Sequence, residues 1–198
     1  MNPAVKCALV ASDLTSLETY AREHKHFHPE LRAHRESRTV RVGPNAILVF
    51  EDALTVRHQI QEILRIEQIT AAANIQTEID RYATLIPDGR NLKATFMVEF
   101  SDAAERHARG PDLTDVEQHV WLQVDGSDRI FAAVDRSTEG VEAVRAPLVH
   151  HLRFELGSSG VRDLKHGKRL SVGIDHGACS ASLTLNEKVR QLLLRDLR

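Results

Sequence analysis

The pattern of hydrophobic and polar positions divides the chain into a helical first half and a second half made mostly of strands. Apolar residues recur at helical spacing over 53–73, where Val56, Ile60 and Leu64 share one face, and a second periodic run covers 75–86. Alternating or continuous apolar runs predict strands at 39–42, 46–50, 92–100, 118–124, 130–134, 148–156, 170–176 and 180–185. Short helices are predicted at 103–108, 160–166 and 186–197.

Turn and cap residues set the expected boundaries of these elements. Thr15 and Glu18 have the spacing of a capping box, which predicts a helix that starts near Asp13 or Thr15. This helix should end near His28, because Pro29 disfavours helical backbone at the residue before it.

The order of the elements indicates the fold class. Gly43-Pro44-Asn45 and residues 125–128 are turn sequences that join consecutive strands into hairpins. Since strands mostly follow strands, we expect an α+β fold, mainly an antiparallel sheet packed against an N-terminal helical half. The expected organisation is a single domain over 13–197 after a loose N-terminal lead-in, 1–12.

Composition excludes several classes of protein. The 198 residues are 42% hydrophobic and 27% charged, with 26 basic and 28 acidic side chains, which is typical of a globular protein without attraction to nucleic acid or membrane. No apolar run reaches the length of a membrane span or a secretory signal, so a cytoplasmic protein is expected. Cys7 and Cys179 are too few for a Cys-rich zinc site, an iron–sulfur cluster within this chain alone or a disulfide scaffold.

Eleven histidines exceed the ten glycines, and two of them are predicted to face the core. Alternation along 148–156 places His150 with Leu152 and Phe154, and places His151 on the opposite, solvent-facing side. His176 continues the apolar row of positions 170, 172 and 174. An inward imidazole requires a partner, because burying it unpaired is costly.

Carboxylates are also predicted on apolar helix faces. Glu67 continues the stripe of Val56, Ile60 and Ile63, and Glu78 lies beside Tyr82 on the second helix. Two histidines with one or two carboxylates have the character of a non-haem iron or zinc site. The predicted ligands are therefore His150, His176, Glu67, Glu78 and His119, with His34 as a further candidate. Alternatively, the histidines are core imidazoles bonded to backbone carbonyls, and Arg57 or Arg65 holds the glutamates.

Two further polar segments have weaker interpretations. His24, His26 and His28 alternate, but alternate helical residues diverge by about 200°, so they cannot share one ion on a helix. The arginine-rich segment 31–41 could bind a phosphate, an acidic partner or RNA, although its glutamates and the low aromatic content disfavour RNA. Pairing with the acidic residues of the long helices is the expected role.

Common enzyme signatures are missing from the sequence. It has no GxGxxG, P-loop, GxSxG or HExxH pattern, so no catalytic residue is predicted and enzymatic activity stays open. Asp175, His176 and Cys179 are close in sequence, but adjacent strand residues face opposite sides, which disfavours a cysteine nucleophile.

Several segments resemble a bacterial family known only as domain of unknown function 3501. They are the run Leu54–Glu67, Leu85-Ile86-Pro87-Asp88-Gly89, the strand 120–124, and the surroundings of His150 and His176. The resemblance spans about 13–197 and includes His34, Glu67 and Glu78 but not the alternating histidines. It implies an accessory protein that acts with rubrerythrin-like proteins or iron–sulfur oxidoreductases, in redox or peroxide chemistry.

Three hypotheses about function follow. The first is a metal-binding redox accessory protein, in which Arg57, Arg65 or Tyr82 orients the carboxylates. The second is a metal-free interaction module that docks on such a partner through the Arg32–Arg41 segment. A third, weaker hypothesis is a small-molecule enzyme with an inward glutamate as general base. The metal, the substrate and a homo-oligomeric state are left open by the sequence.

Overall fold

The computed structural model describes residues 9–100, 102–135 and 149–198, without the side chains of 23–28. Helices α1–α6 span Leu17–Ser37, Ala53–Ile66, Ala72–Ala83, Ala103–Arg109, Gly157–Lys165 and Glu187–Leu194. Strands β1–β9 span Thr39–Val42, Ala46–Phe50, Asn91–Val98, Val120–Val124, Ile130–Phe131, Ala133–Val134, Val149–Glu155, Leu170–His176 and Cys179–Thr184. The predicted α+β class is confirmed, and every strand pair among the described residues is antiparallel.

Two sheets pack face to face and form the main hydrophobic core. The first sheet has the strand order β1–β2–β3–β7–β6 and the second has the order β5–β4–β8–β9. Leu48, Phe96 and Phe154 of the first sheet share this core with Leu122 and Val172 of the second. The sequence predicted one sheet, whereas the chain builds a sandwich of two.

Helices α2 and α3 form a third layer on the outer side of the first sheet. Val56, Ile60 and Tyr82 belong to a separate hydrophobic cluster in this layer. As a result the first sheet is covered on both faces, and β2 is buried at all of its positions. A strand with two covered faces reads as a continuous apolar run instead of an alternating one.

The prediction that the first helix ends near His28 is wrong. Helix α1 begins after Ser16, whose hydroxyl accepts a bond from the Thr19 N–H at 3.3 Å, and continues through Pro29. A proline inside a helix removes one backbone hydrogen bond. Contacts to α2 on both sides of Pro29 offset this loss, because Tyr20 bonds Glu62 at 2.8 Å and His34 bonds Asp52 at 2.8 Å.

The predicted hairpins are confirmed, but the segments 118–124 and 130–134 differ from the prediction in a way that affects the site. Gly43, with φ 71°, lies in the turn between β1 and β2, and residues 125–128 connect β4 to β5. The segment 130–134 divides, because β5 pairs with β4 in the second sheet and β6 pairs with β7 in the first. The predicted strand 118–124 begins only at Val120, after the 3₁₀ helix Val116–His119.

Candidate functional site

The predicted metal ligands lie in two different layers of the molecule. The side chain of His150 faces the space between the sheets, with its ring 6.4 Å from that of Phe96, and His176 ends a strand of the second sheet. Glu67 and Glu78 belong to the helical layer, on the other side of the first sheet. The structure therefore does not bring the predicted carboxylates to the predicted histidines.

The inward orientation predicted for Glu67 is wrong, whereas that of Glu78 is confirmed. Gln68 has φ 53°, which ends α2 at Ile66, so Glu67 caps the helix and is exposed. Glu78 is buried and receives Arg81 Nη1 at 2.8 and 3.0 Å. Glu78 is thus held by an arginine, as the alternative interpretation expected, although by a different one.

The solvent-facing position predicted for His151 is also wrong. His151 is 3% exposed and its Nδ1 lies 3.2 Å from Thr95 Oγ1 on the neighbouring strand. The prediction assumed a sheet with one wet face. Because α2 and α3 cover the outer face, the residue opposite an inward row is buried as well.

A different group of ligand-type side chains assembles where β4 begins and β8 ends, at one end of the two central strands of the second sheet. We call Asp115, His119 and His176 the Asp115 cluster. Asp115 Oδ1 lies 3.6 Å from His176 Nε2, and Asp115 Oδ2 lies 3.9 Å from His119 Nε2. The two imidazole rings are edge to face, with centroids 5.2 Å apart. Two predicted residues, His119 and His176, therefore meet at a carboxylate that was not predicted.

The backbone before β4 positions this cluster. Asp115 has a left-handed conformation, φ 59°, which is uncommon for a residue other than glycine and is found more often at functional sites. Val116 is fully buried and anchors the 3₁₀ helix, which carries Glu117 next to the cluster. Glu117 Oε2 lies 3.9 Å from His150 Nε2. Periodicity gives no signal for Asp115 or Glu117, because one lies in a left-handed turn and the other in a short 3₁₀ helix.

The donor atoms are close but do not form a complete ligand set in this arrangement. Over residues 9–100, 102–135 and 149–198, no group of three or more His, Cys, Asp or Glu side chains is placed so that it could hold a metal ion. The Ala178 N–H approaches His176 Nδ1 at 3.3 Å, so a neutral His176 carries its hydrogen on Nε2, towards Asp115. Binding an ion through Nε2 requires that hydrogen to move to Nδ1, which breaks the bond from the Ala178 N–H.

The other candidate residues have structural partners or lie outside the described residues. His34 bonds Asp52, the N-cap of α2. Arg65 bonds Glu62 at 2.9 Å, and Arg57 is exposed. Cys179 is half-buried, and burial raises the pKa of its thiol, which disfavours the reactive thiolate. Residues 1–8, with Cys7, and the side chains of His24, His26 and His28 are outside the described residues.

The arginine-rich segment is partly internal. Arg38 is 2% exposed and donates to the Phe50 carbonyl at 2.8 Å and the Glu51 carbonyl at 3.2 Å. Its guanidinium also pairs with Asp52 at 3.3 Å and with Asp196. Arg38 therefore joins α1, β2 and the C-terminal residues, and it is unavailable as a contact surface for a partner.

Fold and site define a class of α+β protein in which two antiparallel sheets and a helical layer surround histidine-containing sites. The chain belongs to the family described as Protein of unknown function (DUF3501), which matches residues 8–197. The resemblance found in the sequence is thus confirmed.

A solved structure is similar over nearly the whole chain. It is a crystal structure from Burkholderia pseudomallei, described as a novel protein of unknown function. It is 38% identical with a TM-score of 0.89, over 96% of this chain and 100% of that chain. No curated protein matches. None of the helices in the described ranges is long and apolar enough to cross a membrane.

Proposed function

We propose that the protein binds one iron or zinc ion at the Asp115 cluster. The observation that carries this proposal is the approach of two imidazoles to one carboxylate, His119 within 3.9 Å and His176 within 3.6 Å. Donor atoms that share a tetrahedral zinc ion lie about 3.3 Å apart, as expected from bond lengths near 2.0 Å. Small side-chain rotations of Asp115 and His119, which are half-exposed, would close the set.

The composition of the cluster favours these metals over others. Two imidazoles with one carboxylate suit zinc and non-haem iron and leave coordination positions open. Such an ion would activate water if it is zinc, or meet oxygen or peroxide if it is iron. Glu117, which belongs to the same 3₁₀ helix as His119, forms a second carboxylate–imidazole pair with His150 at 3.9 Å, and this pair can orient a ligand or accept a proton.

The redox part of the proposal rests on the family resemblance. It implies action together with rubrerythrin-like proteins or iron–sulfur oxidoreductases, for which a metal-binding accessory protein is suited. Co-purification from cells with and without peroxide tests this part. Recovery of a metalloprotein partner with the wild-type chain, and its loss with His176→Ala, would support it. Recovery that is equal for both chains would contradict a metal-dependent partnership.

Metal content and Co²⁺ absorption test the binding site directly. We expect close to one iron or zinc per chain, and an absorption spectrum of nitrogen and oxygen ligands when Co²⁺ is added. His119→Ala, His176→Ala and Asp115→Asn should each lower the content strongly. Asparagine is the appropriate substitution at Asp115, because it tolerates a left-handed backbone while it removes the charge.

The matched control is His107→Ala, which removes an exposed histidine of α4. This variant should bind metal like the wild type. Metal content far below one per chain, or content unchanged in the three cluster variants, would contradict the proposal. Such a result would favour the metal-free interaction module, whose contact surface would exclude the buried Arg38 but include the exposed Arg32 and Arg41.

A further inference from the structure

A cavity of about 610 Å³ opens between helix α5, the turn that precedes β3, and Arg198. Gly160 of α5 lies next to Val124, the last residue of β4, whereas the Asp115 cluster lies before the first residue of that strand. The cavity therefore shares no residue with the proposed metal site. Its volume is within the range of about 300–1,000 Å³ that is usual for binding sites of small molecules.

Basic side chains dominate the lining of this cavity. Ser158, Arg162 and Lys165 have the spacing i, i+4 and i+7, which places them on one face of α5, and His166 follows directly after the helix. Arg90 borders the same space from the turn before β3. Three side chains with a fixed positive charge, those of Arg90, Arg162 and Lys165, therefore surround one cavity.

The acidic side chain of the lining is engaged by groups other than these cations. Asp88 Oδ1 accepts the Arg90 backbone N–H at 2.8 Å, and Asp88 Oδ2 accepts the Asn91 side-chain amide at 2.9 Å. These two bonds hold the carboxylate within its own turn. Among the described residues, no carboxylate lies within ion-pair distance of the Arg90, Arg162 or Lys165 side chain.

The basic residues that follow α5 in the sequence have carboxylate partners, unlike those that line the cavity. Lys168 bonds Asp163 at 2.8 Å, and Arg169 bonds Asp125 at 2.7 Å. Lys168 and, more weakly, Arg162 lower the pKa of Asp163, but only Lys168 is bonded to it. Positive charge without a bonded counter-charge is therefore concentrated at the cavity instead of spread over a basic surface.

Backbone hydrogen bonds hold the walls of the cavity together. The Leu156 N–H donates to the Arg90 carbonyl at 3.2 Å, which joins the start of α5 to the turn before β3. The Arg198 N–H donates to the Gly89 carbonyl at 2.9 Å. Gly89 has φ 98°, and a Cβ at this position would lie 2.7 Å from Arg198 Cγ, so glycine permits both the turn and this close approach. The backbone that carries the cations is thus in place before a ligand binds, which lowers the entropic cost of binding.

We propose that this cavity binds a small molecule that carries a diphosphate group, through Arg90, Arg162 and Lys165. Guanidinium groups bind phosphate oxygens in pairs, and the lysine ammonium supplies a point charge. One phosphate group carries a charge of only about −1.5 to −2, so three fixed cations match two phosphates better than one. The described lining has no aromatic side chain on which a nucleobase would stack, and Val161 is its apolar residue. The rest of the ligand is therefore polar and without a nucleobase.

Isothermal titration calorimetry with pyrophosphate tests the cavity. At about 0.15 M salt, we expect saturable binding of one pyrophosphate per chain and at least about tenfold weaker binding of orthophosphate. Arg90→Gln and Arg162→Gln should each weaken pyrophosphate binding about tenfold, as expected for loss of a charge-assisted hydrogen bond. Arg169→Gln is the matched control, because it makes the same change in net charge at an arginine already paired with Asp125. The control should bind within about twofold of the wild type.

Two further ligands test the size and the chemistry of the proposed molecule. Adenosine diphosphate should bind no more tightly than pyrophosphate, and a single-stranded oligonucleotide should bind at least about tenfold more weakly. Tighter binding of either one than of pyrophosphate would overturn the proposal in favour of a nucleotide or a nucleic acid. Absence of saturable pyrophosphate binding, or equal losses in Arg162→Gln and Arg169→Gln, would also overturn it, because the cavity would then have no specific role.

Failure of this proposal is distinguishable from failure of the metal site. Pyrophosphate also binds metal ions, so the titration is repeated with His176→Ala, which should bind pyrophosphate like the wild type. Loss of binding in His176→Ala but not in Arg162→Gln would place pyrophosphate at the Asp115 cluster and overturn the cavity. Arg90 and Arg162 are exposed, so their substitution should leave the fold intact, which thermal unfolding of each variant checks.

Discussion

His150 and His151 are neighbours in β7, yet they meet different surroundings. His150 faces the gap between the sheets near its edge, where its partner is Glu117 at 3.9 Å. His151 faces the helical layer, where Thr95 connects it to a buried carboxylate. The first histidine is half-buried with a loose charged partner, and the second is enclosed with a fixed one. The same residue type thus has a loose charged partner on one face and a buried hydroxyl partner on the other.

The largest effect on stability is expected for Arg38, which donates to the buried carbonyls of Phe50 and Glu51 on the enclosed side of the first sheet. Arg38→Met should lower the free energy of unfolding by about 3–5 kcal/mol, because it leaves buried acceptors without their cation. Asp196 and the carbonyls of Phe50 and Glu51 lose their donor. Urea denaturation measures the loss, and the NMR signals of His151 should shift more than those of His150. A loss below about 1 kcal/mol would contradict the role given to Arg38.

A smaller effect on stability is expected for Thr95, which bonds both Glu51 and His151. Thr95→Val keeps the shape of the side chain but removes the acceptor of His151 and a donor to Glu51, which should cost about 1–3 kcal/mol. Thr184→Val is the matched control, since Thr184 is an exposed strand residue bonded to Ser171 at 3.0 Å. We expect the control to change stability by less than about 0.5 kcal/mol. Equal losses in chemical denaturation would remove the distinction between the two positions.

The pH dependence of stability provides a third comparison. Burial raises the pKa of Asp196 to about 6, despite its pairing with Arg38, from an ordinary value of 3.8. The folded state therefore binds this proton more tightly. The contribution is fully present below about pH 4 and is lost as the pH rises through about 6, with a slope of at most about 1.4 kcal/mol per pH unit. Asp196→Asn should abolish this slope in denaturation curves across that interval.

The pKa of Asp52 is shifted in the opposite direction to that of Asp196, so Asp52 affects stability in a more acidic pH interval. Burial acts to raise its pKa, but Arg38, the Thr55 N–H and His34 together lower it. Its contribution is therefore present above its ordinary pKa of 3.8 and is lost as the pH falls below that value. The two aspartates act in different pH intervals. If Asp196→Asn changes stability equally at pH 4 and pH 7, the assignment to Asp196 is wrong.

The smallest effect on stability is expected for Glu117, the partner of His150 in the gap between the sheets. Glu117→Gln should change the free energy of unfolding by less than about 1 kcal/mol, since its pairing with His150 is long and both side chains retain some exposure. Thermal and urea unfolding measure this difference. A loss as large as that of Thr95→Val would show that the open face is as rigid as the enclosed one, and would remove the contrast between the two histidines.

Local patterns predicted those parts of the fold that depend on neighbours in the sequence. Hairpin β1–β2, the amphipathic face of α2 and the inward side of β7 follow from turn residues and periodicity. The continuation of α1 through Pro29 does not, because contacts of Tyr20 and His34 with distant residues offset the local cost. The second sheet was also missed, since alternation does not reveal which strands share a sheet.

The candidate sites were only partly predictable for the same reason. His119 and His176 were selected as titratable residues beside apolar rows, but their carboxylate, Asp115, lies in a left-handed turn that periodicity does not detect. Glu67 was misplaced because the helix predicted to continue to residue 73 ends at Ile66, just before it. Glu51 and Thr95 gave a weak signal, as polar residues next to or within buried strands. Alternation treats such positions as solvent-facing unless the other face is known to be covered.

The contact between Arg38 and Asp196 also has a consequence for the order of folding. It joins residues 158 positions apart in the chain. Closing so long a loop costs conformational entropy, and this cost is offset only when other contacts already hold the ends of the loop near each other. Hairpin β1–β2 and helix α2 can form from local contacts, whereas Arg38 finds this partner only after α6 has reached its position. We therefore expect the enclosed face of the first sheet to acquire its native packing late, after the sandwich of the two sheets.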